Sequence, residues 1–111
     1  MEFKEVSKET TKRALEAVEI AKKTGKVKKG INEVTKTIER GQAKLVVVAT
    51  DVNPKEIIMH LPLLCKEKNI PLIPVPSRQE LGLSAGLSVP TSAVAIIKEG
   101  DSKDIIKELN K

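Results

Sequence analysis

A chain of 111 residues and 12.1 kDa is the size of one domain, residues 1–111, and leaves no room for a catalytic domain beside a recognition domain. Apolar residues at 40% and charged residues at 32% supply both a core and a solvated surface, which excludes a wholly disordered chain. Twenty lysines and arginines against fifteen acids leave +5 and favour a polyanionic partner, nucleic acid first, yet Phe3 is the only aromatic, so binding by stacking bases on rings is excluded.

Periodicity and punctuation residues predict five helical and four extended segments in alternation. Ser7 caps a helix from Lys8 to Thr24 whose apolar line is Ala14, Leu15, Val18 and Ala21, and Gly25 ends it. A short extended stretch, Val27 to Lys29, precedes Gly30 and a second, amphipathic helix that carries Val34 and Ile38 on one side and stops at Gly41. Leu45 to Ala49 is a continuous apolar, β-branched run, the pattern of a central strand covered on both faces. Asn53-Pro54 reads as a cap and first-turn proline opening a helix through Ile57 and Ile58, which Pro62 restarts toward Lys68. Pro71 to Val75 is a strand whose prolines place it at an edge, and Ser77 with Glu80 forms a capping box for a short helix. Ala93 to Ile97 is the last strand, and Ser102 to Leu109 the last helix, with Ile105, Ile106 and Leu109 facing inward. The expected fold class is α/β, a layered domain with helices on both faces of a mixed four-stranded sheet.

The net charge is concentrated in one place. Lys22 to Lys36 holds six lysines and one glutamate, and the rest of the chain holds fourteen bases and fourteen acids. A step of about 100° per residue puts Asn32, Glu33, Lys36 and Arg40 on one side of the second helix and Val34 and Ile38 on the other. A surface built only to attract phosphate would exclude Glu33, whose carboxylate is useful against nucleic acid only as an acceptor from a base. Lys36 can donate to guanine O6 or N7, Glu33 can accept from a guanine N–H, and Asn32 can do either. Gly30 permits close backbone approach, and the helix start offers free N–H groups to a phosphate. An ordinary helix start, with Asn32 as cap and Glu33 complementing the dipole, explains the same residues, and these residues alone leave both readings open.

Gly30-Ile31-Asn32-Glu33-Val34-Thr35-Lys36 resembles the Gly-x-Asn-Glu-x-x-Lys signature of the kink-turn RNA-binding family that includes the archaeal ribosomal protein L-seven-Ae. Further stretches agree in order: Ala43 to Pro54, Ile57 to Cys65 with His60-Leu61-Pro62, Ser77 to Gly86, and Leu87-Ser88-Val89-Pro90. The resemblance runs from about Val6 to the end of the chain. It implies a three-layer α/β/α sandwich that grips a sharply bent helix-bulge-helix RNA at its tandem sheared G·A pairs. Asn32, Glu33 and Lys36 would contact the guanines, and Leu87 to Pro90, helped by Ile57 and Arg78, would cover a nucleotide extruded from the bulge. Lys29, Gly30, Arg40 and Asp51 complete the RNA-facing set expected on this basis. The implied partners are ribosomal RNA, box C/D and H/ACA guide RNAs and RNase P RNA, with other proteins of those particles. The implied protein is a monomer when free, without catalysis or cofactor. Many relatives carry lysine at the position of Arg78, an acid at that of Ser88 and an acid at that of Asn53.

Apart from the family, Leu87, Val89 and Pro90 form an apolar ridge between glycine-containing elements, and a core-facing turn is the bland alternative. A protein-interaction module using the same ridge and basic patch, without specific RNA, is the competing function. Gly82-Leu83-Ser84-Ala85-Gly86 matches the pattern of a hydrolase nucleophile elbow, but a helix start precedes it where a strand is required, and His60 lies upstream of the serine. Asp51 stands where α/β enzymes place catalytic groups, but without a partner it more simply orders the adjacent loop. One cysteine and one histidine cannot build a disulfide or an ordinary zinc site, so no metal is expected; Cys65 reads as a core residue, and His60 as satisfying backbone at a helix junction. The charged start is no secretory signal, and the uncharged stretch Leu81 to Ile97 is interrupted by glycines and a proline and is short of the ~20 apolar residues of a membrane span. A cytoplasmic location is the expectation.

Overall fold

The computed structural model describes residues 7–52 and 55–109. The elements run α1 (Lys8–Thr24), β1 (Lys26–Lys29), α2 (Ile31–Glu39), β2 (Leu45–Ala49), a 3₁₀ turn (Lys55–Ile57), α3 (Leu61–Glu67), β3 (Leu72–Val75), α4 (Arg78–Ser84), β4 (Ala93–Lys98), a second 3₁₀ turn (Gly100–Ser102) and α5 (Lys103–Leu109). At the start of α1 the Ser7 hydroxyl accepts the Thr10 N–H at 3.1 Å, the cap the sequence predicts. Its inward line is Ala14, Ala17, Val18 and Ala21, all fully buried, while Leu15 is only partly covered. Small residues dominate that line, so the helix axis can lie close to the sheet. At its end, a Cβ on Gly25 would overlap the Lys98 carbonyl at the end of β4, a close approach that only glycine permits.

The four strands lie in the order β1-β4-β2-β3. β4 is antiparallel to both β1 and β2, and β2 is parallel to β3, so the sheet is mixed as expected. Pleating divides β2 between two cores. Leu45, Val47 and Ala49 point to the layer of α1, α4 and α5, and Val46 and Val48 to the layer of α2 and α3. All five are fully buried, each of the valines and the leucine contributing roughly 1.5–3 kcal/mol on leaving water. β4 divides the same way, Val94 and Ile96 to one side and Ala93 and Ala95 to the other, where Val34 and Ile38 of α2 pack in the same cluster. The result is the α/β/α sandwich.

β3 forms the edge predicted from its prolines. The Pro71 and Val75 carbonyls accept the N–H groups of Val46 and Thr50, which turns the backbone groups of Leu72 and Pro74 away from β2. Three expectations need correction. The helix expected through Ile57 and Ile58 is a single 3₁₀ turn, with regular helix only from Leu61, because a short segment ahead of Pro62 cannot build a continuous ladder; Asn53 and Pro54 lie outside the described residues. α2 ends at Glu39 with Arg40 as its cap, short of Gly41, and Ser102 closes a 3₁₀ turn before α5.

Candidate nucleic-acid interface

Because β1, β2 and β3 run in one direction and β4 in the other, their connections meet at one end of the sheet. There lie the start of α2 after β1, Asp51 just after β2, the start of α4 after β3, and the Leu87 to Pro90 loop ahead of β4. The strand order thus gathers residues that are up to sixty positions apart in the sequence.

α2 is set by Gly30. Its φ of 92° and ψ of 147° are open to glycine and strained for any other residue, and its N–H is fixed to the Ala93 carbonyl at 2.9 Å. A Cβ there would meet no protein atom, so the demand is conformational, and the space before it is open to a partner. Gly30 itself is the N-cap and α2 has no side-chain cap, which removes the reading of Asn32 as a capping residue. Asn32, Glu33 and Lys36 are exposed, and among the described residues none of the three side chains has a hydrogen bond or ion pair. The helix satisfies itself elsewhere: Thr37, buried, donates to the Glu33 carbonyl at 2.8 Å, and Thr35 donates to the Ile31 carbonyl at 2.7 Å. Arg40 is exposed at the other end of α2, about 15 Å of helix rise from Gly30, and is the member of the expected set that the fold holds away from the loops. Lys29 is exposed at the end of β1, beside Gly30.

Asp51 orders the neighbouring segment as expected. Its Oδ1 accepts the backbone N–H of Arg78 at 3.0 Å and lies 3.4 Å from the Arg78 Nε, so one carboxylate ties the end of β2 to the start of α4 and holds the arginine by its inner nitrogen. The two terminal nitrogens of the guanidinium stay available. The Leu87 to Pro90 loop folds back over α4: Leu87 N–H bonds to the Gly82 carbonyl at 2.8 Å, Thr91 N–H to the Arg78 carbonyl at 3.2 Å, and a Cβ on Gly82 would overlap the Val89 carbonyl. Leu87 is half-buried by this fold, while Ser88, Val89 and Pro90 are exposed, Val89 at 60%. The core-facing alternative for this turn therefore holds only for Leu87. The end of the Lys22 side chain rests against Gly86, which brings the basic segment next to the loop.

A shallow open groove runs between α2 and the segment leading into α3, with Asn32, Thr35 and Lys36 on one wall and Ile57 and His60 on the other. Ile57 is 41% exposed there. His60 does not satisfy backbone as expected. Its Nε2 lies 2.9 Å from the Thr35 hydroxyl, a pairing across twenty-five residues that no local signal in the sequence announces. Ser84 sits at the end of α4 with no strand before it, so the elbow pattern is accidental. Cys65 is a core residue, and burial pushes its thiol up to about 11. Among the described residues no group of His, Cys, Asp and Glu could hold a metal ion, and no helix is long and apolar enough to cross a membrane.

An α/β/α sandwich that gathers exposed polar side chains, basic groups and an exposed apolar loop at one end of its sheet is a scaffold for recognition. The chain belongs to the ribosomal protein L7Ae/L30e/S12e/Gadd45 family, whose profile matches residues 12–106. It is similar to the solved structure of a Giardia lamblia 15.5kD RNA binding protein, at 33% identity over 95% of this chain and 88% of that one, with a TM-score of 0.89. The family is one of structural RNA-binding proteins, and the chain is not an enzyme.

Proposed function

We propose that this protein, as one domain spanning residues 1–111, is an RNA-binding component of ribonucleoprotein particles that recognises kink-turns. The observation that carries the proposal is the row of Asn32, Glu33 and Lys36, exposed and without partners among the described residues, on a helix whose start is fixed by Gly30 beside an apolar loop. The row supplies a donor, an acceptor and an amide at adjacent positions, the set that reads guanine edges. Lys29 meets phosphate, Asp51 holds Arg78, and Leu87, Ser88, Val89 and Pro90 with Ile57 and Arg78 cover an extruded nucleotide. Family membership and the RNA binding of the Giardia lamblia protein support the same reading. The free protein is a monomer, and its partners are ribosomal, box C/D, H/ACA or RNase P RNAs carrying the motif, with the proteins of those particles.

Filter binding of a kink-turn RNA against a duplex of equal length tests the proposal. Preference for the kink-turn supports it. Equal affinity for both leaves only an electrostatic RNA binder, and binding to neither, with capture of a partner protein through the same ridge, restores the protein-interaction reading.

A further inference from the structure

The pairing of His60 with Thr35 lies in the groove between Asn32, Lys36 and Ile57, and the proposed RNA contacts do not use it. The Thr35 hydroxyl has a single hydrogen, and it goes to the Ile31 carbonyl at 2.7 Å. The hydroxyl oxygen therefore accepts from His60 at 2.9 Å, which places a hydrogen on Nε2. Among the described residues this is the only side-chain hydrogen bond between α2 and the rest of the fold. α2 is otherwise held by the Gly30 N–H at its start and by Val34 and Ile38 on its inner face. Those two side chains lie in one cluster with Ala93 and Ala95 of β4 and with Ile58 and Leu61 beside His60, which fixes the depth of the helix, and the bond to His60 acts at the exposed rim above that cluster.

His60 stands three residues after Ile57 and between the buried Ile58 and Leu61, so its backbone is anchored in the α2/α3 core. We infer that His60 is a positioning residue, whose Nε2–H bond to Thr35 sets the spacing between the Asn32-Lys36 face of α2 and the Ile57 wall of the groove. The inference rests on the RNA reading and deepens it: guanines on one wall and the extruded nucleotide on the other belong to one rigid RNA, so the distance between the walls selects the bend. An exposed hydrogen bond adds little to folding stability, but it restricts a sideways coordinate that the RNA measures.

The amide nitrogen of glutamine reaches the place of Nε2, whereas that of asparagine reaches only the place of Nδ1. Filter binding with the kink-turn RNA and the equal-length duplex should therefore find His60→Gln and Thr35→Ser close to the native protein, and His60→Asn and Thr35→Val weaker on the kink-turn by about five- to tenfold with duplex binding unchanged. The His60→Asn, Thr35→Val double variant should be no weaker than either single change, since both remove one bond. Thermal unfolding of each variant checks that the fold is retained. Equal behaviour of His60→Gln and His60→Asn, whether both bind fully or both lose affinity, overturns the inference while a loss in Lys36→Ala leaves the RNA reading standing. A native protein without preference for the kink-turn overturns both.

Discussion

Glu33 and Lys36 are one helical turn apart on α2 and form no ion pair, although residues three apart on a helix are neighbours and opposite charges there ordinarily meet. Their separation keeps an acceptor and a donor free side by side. Replacing either by alanine is expected to weaken kink-turn binding by roughly 1–3 kcal/mol and to leave duplex binding nearly unchanged, because a base contact and no phosphate contact is lost. Equal losses on both RNAs for Glu33→Ala, measured by filter binding, would reassign that residue to the helix dipole. Cys65 gives a prediction independent of RNA. Its thiol is buried among apolar side chains and raised from 9.0 to about 11, so it is protonated and enclosed at neutral pH. A disulfide-exchange reagent should label it slowly at about pH 8 in the native protein and rapidly in denaturant, where the ordinary thiolate population returns. Because the folded value lies above the unfolded one, the stability this thiol contributes is complete below pH 9 and is lost as pH rises through about 11, which urea titration across that window would show.

At the scale of elements, the loop from Leu87 to Pro90 depends on α4 more than on its own residues. Gly82 lets the Val89 carbonyl descend onto the helix, which turns the Val89 side chain outward. Val89→Arg should narrow the set of nucleotides accepted in the extruded position, and Leu87→Ser should weaken binding by about 1 kcal/mol through lost apolar cover. Binding of each variant to kink-turns carrying each of the four nucleotides at that position, and to a kink closed by a terminal loop, is the measurement. Unchanged affinity and preference in both, with a loss in Lys36→Ala, would make the loop merely structural. Elements with a strong periodic signal were legible from the residues. α1 carries a helical period over seventeen residues bounded by Ser7 and Gly25, and β2 is apolar at every position. The segment from Lys55 to His60 was not, because its one turn of 3₁₀ structure is shorter than the window in which periodicity can speak. The candidate site was half legible. The α2 face follows from a wheel, but its meeting with Asp51, Arg78 and the loop requires β4 to lie between β1 and β2, a non-local pairing that no run of residues encodes. The bond of His60 to Thr35 is of the same kind.

The whole molecule carries its excess charge in the segment from Lys22 to Lys36, which the fold spreads from the end of α1, against Gly86, to the start of α2. If some four to six phosphates are neutralised there, log K should fall against log salt with a slope of about −3 to −5, and a flat dependence would remove the electrostatic part of the proposed function. Size-exclusion chromatography of the free protein should give a single species of monomer mass. One feature of the sheet bears on that expectation. The backbone of β3 that faces away from β2 belongs to Leu72 and Pro74, and proline has no N–H to offer. A strand arriving from another copy would find one donor missing from a four-residue ladder, which makes this edge a poor template for growth. A second copy of the chain thus meets an interrupted ladder at β3 and a strand of lysines, Lys26, Lys28 and Lys29, at the opposite edge, β1, so neither side of the sheet invites a fibre.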